Sequence, residues 1–171
     1  MLLNNGRRAL KNINGGNAVS LSVTAVSGAT VTHSAQDLLN PCIAGAVRTA
    51  ATVTTDRYCC VFVGSGNTAA APTDYALAND ISSSLAFVGG FTPGSMQTRT
   101  EDSGLISVTA TFNNSTNADI TVREVGLGVH AAYDTSAPIV LLTRDVLANP
   151  VTIPSGEQAS FTVHAYISAF N

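Results

Sequence analysis

Charge is what this sequence has least of. Of its 171 residues only 11% are Asp, Glu, Lys or Arg, less than half of the ~25% usual in globular domains. Lys11 is the single lysine, and the formal net charge is −3. A general nucleic-acid binder needs a basic face for the phosphate backbone, so that class is excluded. Tryptophan is absent and aromatics make up only 6%, which leaves little for the exposed aromatic platform of a sugar- or receptor-binding face. No apolar stretch approaches the ~20 residues of a membrane span, so no membrane partner is expected. The opening MLLNNGRRALKN lacks the apolar core of about 7–15 residues that marks a secretory leader. Cysteines number three, Cys42, Cys59 and Cys60. An odd count with an adjacent pair, whose side chains point to opposite faces of a strand, is no disulfide framework. His33, His130 and His164 share no ligand spacing with them, so no metal and no cofactor is expected. Buried free thiols fit assembly in a reducing cytosol.

What is present is a hydrophobic fraction of 45%, ordinary for a folded domain, and a surplus of Ala, Ser, Thr, Asn and Gly in place of charge. A surface of small neutral residues costs little to strip of water, and it lacks the charge that keeps a lone monomer soluble. A chain packed against copies of itself, with a trimer as the first expectation, or against other proteins, follows from that balance.

Residues 2–13 place Leu3, Arg7, Leu10 and Ile13 at helical spacing, and Gly15-Gly16 end the pattern. Residues 1–16 are therefore expected to form a helical arm. Leu3, Arg7, Arg8, Leu10 and Lys11 are its candidate partner contacts, since basic residues cluster there beside a flexible hinge. The alternative is a helix lying on its own domain. From residue 17 to 171 the language is that of strands: 18–26 and 29–34 as a hairpin turned at Ser27-Gly28, then 57–66, 105–112, 118–131, 138–147 and 158–170. Apolar parity shifts from Ile120/Val122 to Val125/Leu127/Val129, which predicts a bulge near Arg123-Glu124. Thr73 or Asp74 is placed to cap a short internal helix reaching Ile81. Residues 82–96, rich in glycine, read as an exposed loop or hairpin, with Phe87 and Phe91 as further candidate contacts. The expected fold is mainly β: a single antiparallel β-sandwich, Ig-like or jelly-roll-like, with one short N-terminal and one short internal helix.

Motifs for chemistry are sparse. Gly64-Ser65-Gly66-Asn67 follows a strand, but no Lys-Ser/Thr pair follows to hold phosphate and magnesium, and no third glycine completes a dinucleotide fingerprint. It reads as a turn. No Gly-x-Ser-x-Gly elbow occurs, so no catalysis is expected. Asn113-Asn114-Ser115-Thr116 holds two overlapping glycosylation sequons and reads as a polar turn. Arg123, Glu124, Arg144 and Asp145 put four of the few charges inside strands. Such charges must be paired, either with each other on the rim of the domain or across a subunit boundary.

Three stretches, VGSGNTAAAPTDYALANDI (63–81), ISVTATFNNSTNADITVREVGLGV (106–129) and LLTRDVLANPVTIPSGEQASFTVHAYI (141–167), resemble a class of small bacteriophage virion structural proteins. The shared pattern is a glycine turn with an Asp-x-x-Leu segment, an Ile-Thr-Val-x-Glu-Val-Gly-Leu strand, an Arg-Asp-Val-Leu strand and a Pro-x-Gly turn before a last alternating strand. It covers about residues 57–168 and departs from the usual pattern at Gly128-Val129-His130, where an aromatic is more common. The resemblance implies a non-enzymatic virion protein assembled in the host cytoplasm. The first expectation is a capsid decoration or cement protein bound to the major capsid protein. The alternatives are a tail or neck component (adaptor, baseplate or fibre-attachment protein) and, last, a receptor-binding module.

Overall fold

A computed structural model describes residues 1, 3–7, 20–34, 60–93, 97–100, 103–130 and 138–168. The chain is mainly β, and its sheets are antiparallel. The strands are β1 (Ser20–Thr24), β2 (Thr30–Ser34), β3 (Cys60–Gly64), β4 (Ala86–Pro93), β5 (Gln97–Thr100), β6 (Ser103–Asn113), β7 (Ile120–His130), β8 (Ile139–Ile153) and β9 (Gln158–Ser168). The strand expectations correspond to β1, β2, β3, β6, β7, β8 and β9. Arg8, Leu10, Lys11, Cys42 and Cys59 lie outside the described residues.

β1 and β2 form the expected hairpin, with Val23 opposite Val31. Ala25 N–H donates to Ala29 C=O, and Gly28 N–H donates back to Ala25 C=O. Gly28 takes φ +84° at this corner, a conformation that glycine adopts without steric cost.

The second sheet is built on β6. β9 pairs along its whole length, from Ser103↔Ser168 to Asn113↔Gln158. β4 and then β5 pair along its opposite edge in one direction, Ala86 against Asn113 and Gln97 against Leu105. Over its described part the loop-or-hairpin reading of 82–96 is corrected: 82–84 is a 3-10 turn and 86–93 a strand of the sheet on β6. Gly89 and Gly90 are strand residues. Register shifts fall between Phe87 and Gly89 and between Gly89 and Thr92, so Gly89 serves a bulge. Phe87 is half-buried and packs edge-on against Phe112, with centroids 6.2 Å apart. Phe112 in turn packs edge-on against Phe161 at 6.1 Å.

The third sheet has the order β3-β7-β8. One of its faces joins β6 and β9 in a common core: Val61, Val63, Val122, Leu127, Val129, Val140, Leu142 and Ile153 cluster with Val108, Ala110, Phe112, Phe161 and Val163. Its other face is covered as well, because Phe62 and Leu141 cluster with Leu3 and are packed by Val26, Leu77 and Ile139. Burial on both faces explains why these strands read as near-continuous apolar runs, CVFV and IVLL, rather than as alternation. The bulge expected near Arg123-Glu124 is present, since the register jumps from Val122↔Val151 to Glu124↔Val146. Residues 147–150 are the surplus, and Pro150 is accommodated there without a ladder donor.

Two loops fasten the ends of these strands. Asn114, fully buried, donates from Nδ2 to Ala118 C=O (2.7 Å) and Ile153 C=O (2.8 Å), and its Oδ1 accepts from Thr116 N–H and Oγ1. Its backbone N–H donates to Glu157 C=O, and its C=O accepts from Gly156 N–H, which carries φ +81° in the turn before β9. The expected polar turn is therefore a closed hydrogen-bonded knot. The second loop, 65–81, holds the ion pairs described below.

Candidate functional site

Of the four strand charges, Glu124 and Arg144 pair with each other, and they lie deeper than a rim pair. Glu124 is 0% exposed and Arg144 2%. Glu124 lies opposite Val146 on β8, two residues from Arg144, so the two side chains meet diagonally across one face of the sheet. Arg144 Nε donates to Glu124 Oε2 at 2.7 Å. Its Nη1 donates to Asp74 Oδ2, forming a second ion pair, and its Nη2 donates to Thr68 C=O at 2.9 Å.

Loop 65–81 closes over this pair. Glu124 Oε1 accepts from Gly66 N–H (3.1 Å) and Asn79 N–H (2.8 Å), while Oε2 also accepts from Ala78 N–H (3.1 Å). The glycine turn that invites a phosphate-loop reading does cradle an anion, but the anion is the chain's own carboxylate. Space is the reason for its glycines: a Cβ at Gly64 or at Gly66 would lie 2.5 Å from Glu124 Oε1. The internal helix expected from Thr73 or Asp74 to Ile81 is absent, because its backbone donors are used elsewhere. Ala78 and Asn79 give their N–H groups to Glu124, and the Asp74 carboxylate accepts from Ala71 N–H and Arg144.

Burial pushes the Glu124 carboxyl up, but Asn79 N–H, the Arg144 guanidinium and Ala78 N–H together outweigh it and hold the group below its ordinary range. Burial likewise pushes Arg144 down, and its bonds to Glu124 and Asp74 more than reverse this. Four donors fill the roughly four lone-pair sites of a carboxylate. The arrangement is that of a staple, with no lone pair of Glu124 left over for a substrate proton.

The N-terminal segment meets the same place, and Asn4 N–H donates to Pro72 C=O in loop 65–81. Leu3 N–H donates to Leu142 C=O (2.9 Å), and Arg144 N–H donates to Met1 C=O (3.1 Å). Asn5 Nδ2 donates to Thr24 C=O, and Asn5 Oδ1 accepts from Thr24 N–H. Leu3 is 0% exposed, so it is a core residue of its own domain and not a partner contact. Its burial against Phe62 and Leu141 corrects the arm reading for the described part of 1–16. Residues 4–7 are helical, and Arg7, which is exposed, donates its N–H to Leu3 C=O.

Of the other expected contacts, Phe87 is half-buried on β4 against Phe112, and Phe91 lies on the same strand. Arg123 and Asp145 are exposed and join no ion pair among the described residues. Asp74 is the member that sequence reasoning assigned to a helix cap instead. The Gly-x-Gly spacing before it reserves room for the Glu124 carboxylate and does not point to Asp74. Among the described residues no set of three or more His, Cys, Asp or Glu is arranged to hold a metal ion, and no helix is long and apolar enough to cross a membrane.

No protein-family model matches the chain, and no curated protein or solved structure is significantly similar to it.

Proposed function

We propose that this chain is a non-enzymatic structural protein of a bacteriophage particle, a decoration or cement protein that seals contacts on the head. In this reading the two larger sheets pack as a β-sandwich, supported by the core residues that β3, β7 and β8 share with β6 and β9. The observation that carries the functional reading is the chemistry of the outer surface. Hydroxyls face each other across the strands: Thr109 with Thr162 (2.8 Å), Thr111 with Ser160 (2.7 Å) and Thr121 with Thr152 (3.1 Å). Meanwhile Glu124 and Arg144 are turned inward and neutralise each other. A sheet face that offers neutral hydroxyls can be covered by a neighbouring protein without stripping water from ions. The resemblance of residues 57–168 to phage virion proteins points the same way.

The test is quantitative mass spectrometry of purified particles encoded with this chain. Hundreds of copies per particle are expected for a decoration protein, whereas about a dozen or fewer would indicate a ring or trimer at the neck or tail. Absence from washed particles overturns the virion reading.

A further inference from the structure

The sequence contains two Asn-Gly steps, Asn5-Gly6 and Asn14-Gly15, and the first lies among the described residues. Asparagine is a thermolabile residue. A following glycine makes it more so, because no Cβ hinders the glycine nitrogen from reaching the side-chain carbon. The reaction needs only water. Gly6 N attacks Asn5 Cγ, the N–Cγ bond forms and the Cγ–Nδ2 bond breaks, and Nδ2 leaves as ammonia with the proton of the Gly6 amide. Water then opens the cyclic imide, leaving an aspartate or, where the backbone carbonyl is attacked, an isoaspartate. Nothing is oxidised or reduced.

The fold holds this step shut. Asn5 is 6% exposed and Gly6 is buried. Asn5 Nδ2 donates to Thr24 C=O at 2.8 Å and faces Leu141 C=O at 3.5 Å, while Oδ1 accepts from Thr24 N–H at 3.2 Å. Residues 4–7 are helical, and at the helical ψ of about −40° the Gly6 nitrogen does not meet Cγ. Both the side chain and the backbone of Asn5 must let go before the ring can close. The segment that has to lift is fastened by Leu3 N–H to Leu142 C=O, Arg144 N–H to Met1 C=O and Asn4 N–H to Pro72 C=O, and by the Leu3 side chain against Phe62 and Leu141.

We propose that Asn5-Gly6 is a self-modification site gated by docking: it is unreactive while the N-terminal segment lies on the sheets, it loses ammonia once the segment lifts, and the product keeps the segment off. The new carboxylate has no N–H to donate. Where Nδ2 met the carbonyl oxygens of Thr24 and Leu141, it sets a charged oxygen against them in a nearly buried place. An isoaspartate also lengthens the backbone by one methylene, which puts Leu3 out of register with Leu142. Conversion thus makes a reversible lifting permanent and takes from β8 the partners of Arg144 N–H and Leu142 C=O. The chemical state of residue 5 records whether a copy has ever lifted this segment. The site belongs to the isolated chain, whether or not the chain joins a particle.

Peptide mapping by mass spectrometry tests the gate, on the full chain aged in mildly alkaline buffer with and without concentrated guanidinium chloride. Trypsin cuts after Arg7, Arg8 and Lys11 and so separates Asn5 from Asn14. Conversion at Asn5 is expected to run about tenfold or more slowly in the folded protein than in denaturant, because it proceeds only through the locally opened fraction. Leu3→Ala, which removes the side chain packed on Phe62 and Leu141, is expected to speed it severalfold in buffer alone. Amide hydrogen exchange of Asn5→Asp tests the consequence. The Leu3, Thr24 and Arg144 N–H groups are expected to exchange about tenfold or more faster than in wild type, with the Val108 and Ala110 amides of β6 unchanged. Should Asn5→Asp fail to fold, the converted fraction of aged wild type, separated by its added negative charge, is measured in its place. Equal conversion with and without denaturant overturns the proposal, as does no conversion in denaturant or a Leu3→Ala rate equal to that of wild type. Unchanged Leu3 and Arg144 amides after conversion also overturn it. So do β6 amides that speed up equally, because the whole domain and not the segment would then have opened.

Discussion

Glu124 and Asn114 do the same job with different chemistry. Each is fully buried, each fastens an irregular loop to the sheets, and each has its side-chain acceptors satisfied. Asn114 does this with a neutral amide that can both donate and accept, so a single residue ties Thr116, Ala118 and Ile153 together. Glu124 can only accept, and its charge obliges the fold to supply Arg144, Asp74 and three backbone N–H groups around it. The charged fastening needs more of the sequence to build, and more is lost when one part goes.

The comparison breaks most sharply at Glu124→Ala. Three N–H donors lose their acceptor and Arg144 loses one of its two carboxylate partners, so a loss of roughly 3–5 kcal/mol in urea unfolding is expected. Asn114→Ala removes only neutral bonds and leaves the buried carbonyl of Ile153 short of this donor, while Ala118 C=O keeps the Thr116 hydroxyl, for about 2–3 kcal/mol by the same measurement. Gly66→Ala forces a methyl into the Glu124 carboxylate and is expected to cost about 1–3 kcal/mol. The share of that cost due to the carboxylate should vanish in a Glu124→Ala background, while the share due to Ala78 Cβ, 2.6 Å from the same methyl, should remain, and a double-mutant cycle reads the two directly.

Acid separates the two fastenings without any change of contact. Glu124 is held below its ordinary value of 4.5 in the fold. The unfolded chain therefore takes up this proton first as pH falls, and the stability that Glu124 contributes is complete above that value and is lost below it. The gap in unfolding free energy between wild type and Glu124→Gln is expected to shrink between about pH 5 and pH 3, while the gap between wild type and Asn114→Ala stays level. The smallest effect belongs to Arg123→Ala. Arg123 is exposed beside the bulge, and its removal is expected to stay within about 0.5 kcal/mol in the same assay.

The fold was legible where one physical signal dominates. β6 and β9 alternate cleanly because one face is buried, and β1 and β2 are joined by a turn that their glycine announces. The bulge at Arg123 showed itself as a change of parity. Sequence reading failed where tertiary contacts override a local preference. Gly89 and Gly90 suggested a loop, yet β6 recruits that segment as a strand. Residues 73–81 have a cap and helical spacing, yet a carboxylate from a strand about 45 residues away claims their N–H groups. The Glu124–Arg144 pair was legible as charges too few and too deep to stand alone. Its third member was not, since nothing local distinguishes an Asp that caps a helix from one that meets a distant arginine. Leu3 was misread for a related reason, because the surface it covers, Phe62 and Leu141, comes from strands far along the chain.

That separation has a consequence in time. The bonds from Met1 and Leu3 reach Arg144 and Leu142, and the first of these joins residues 143 positions apart. During synthesis at about 5–20 residues per second, the strand they lie against is made roughly 7–30 s after they are. Until then Leu3 has only Phe62 of its surface to cover, and β8, once made, has a bare edge that any passing strand could take. Closing that edge is a race between a segment waiting on the same molecule and strands on others. The waiting segment has the advantage of its tether, whose effective concentration does not fall when the protein is dilute.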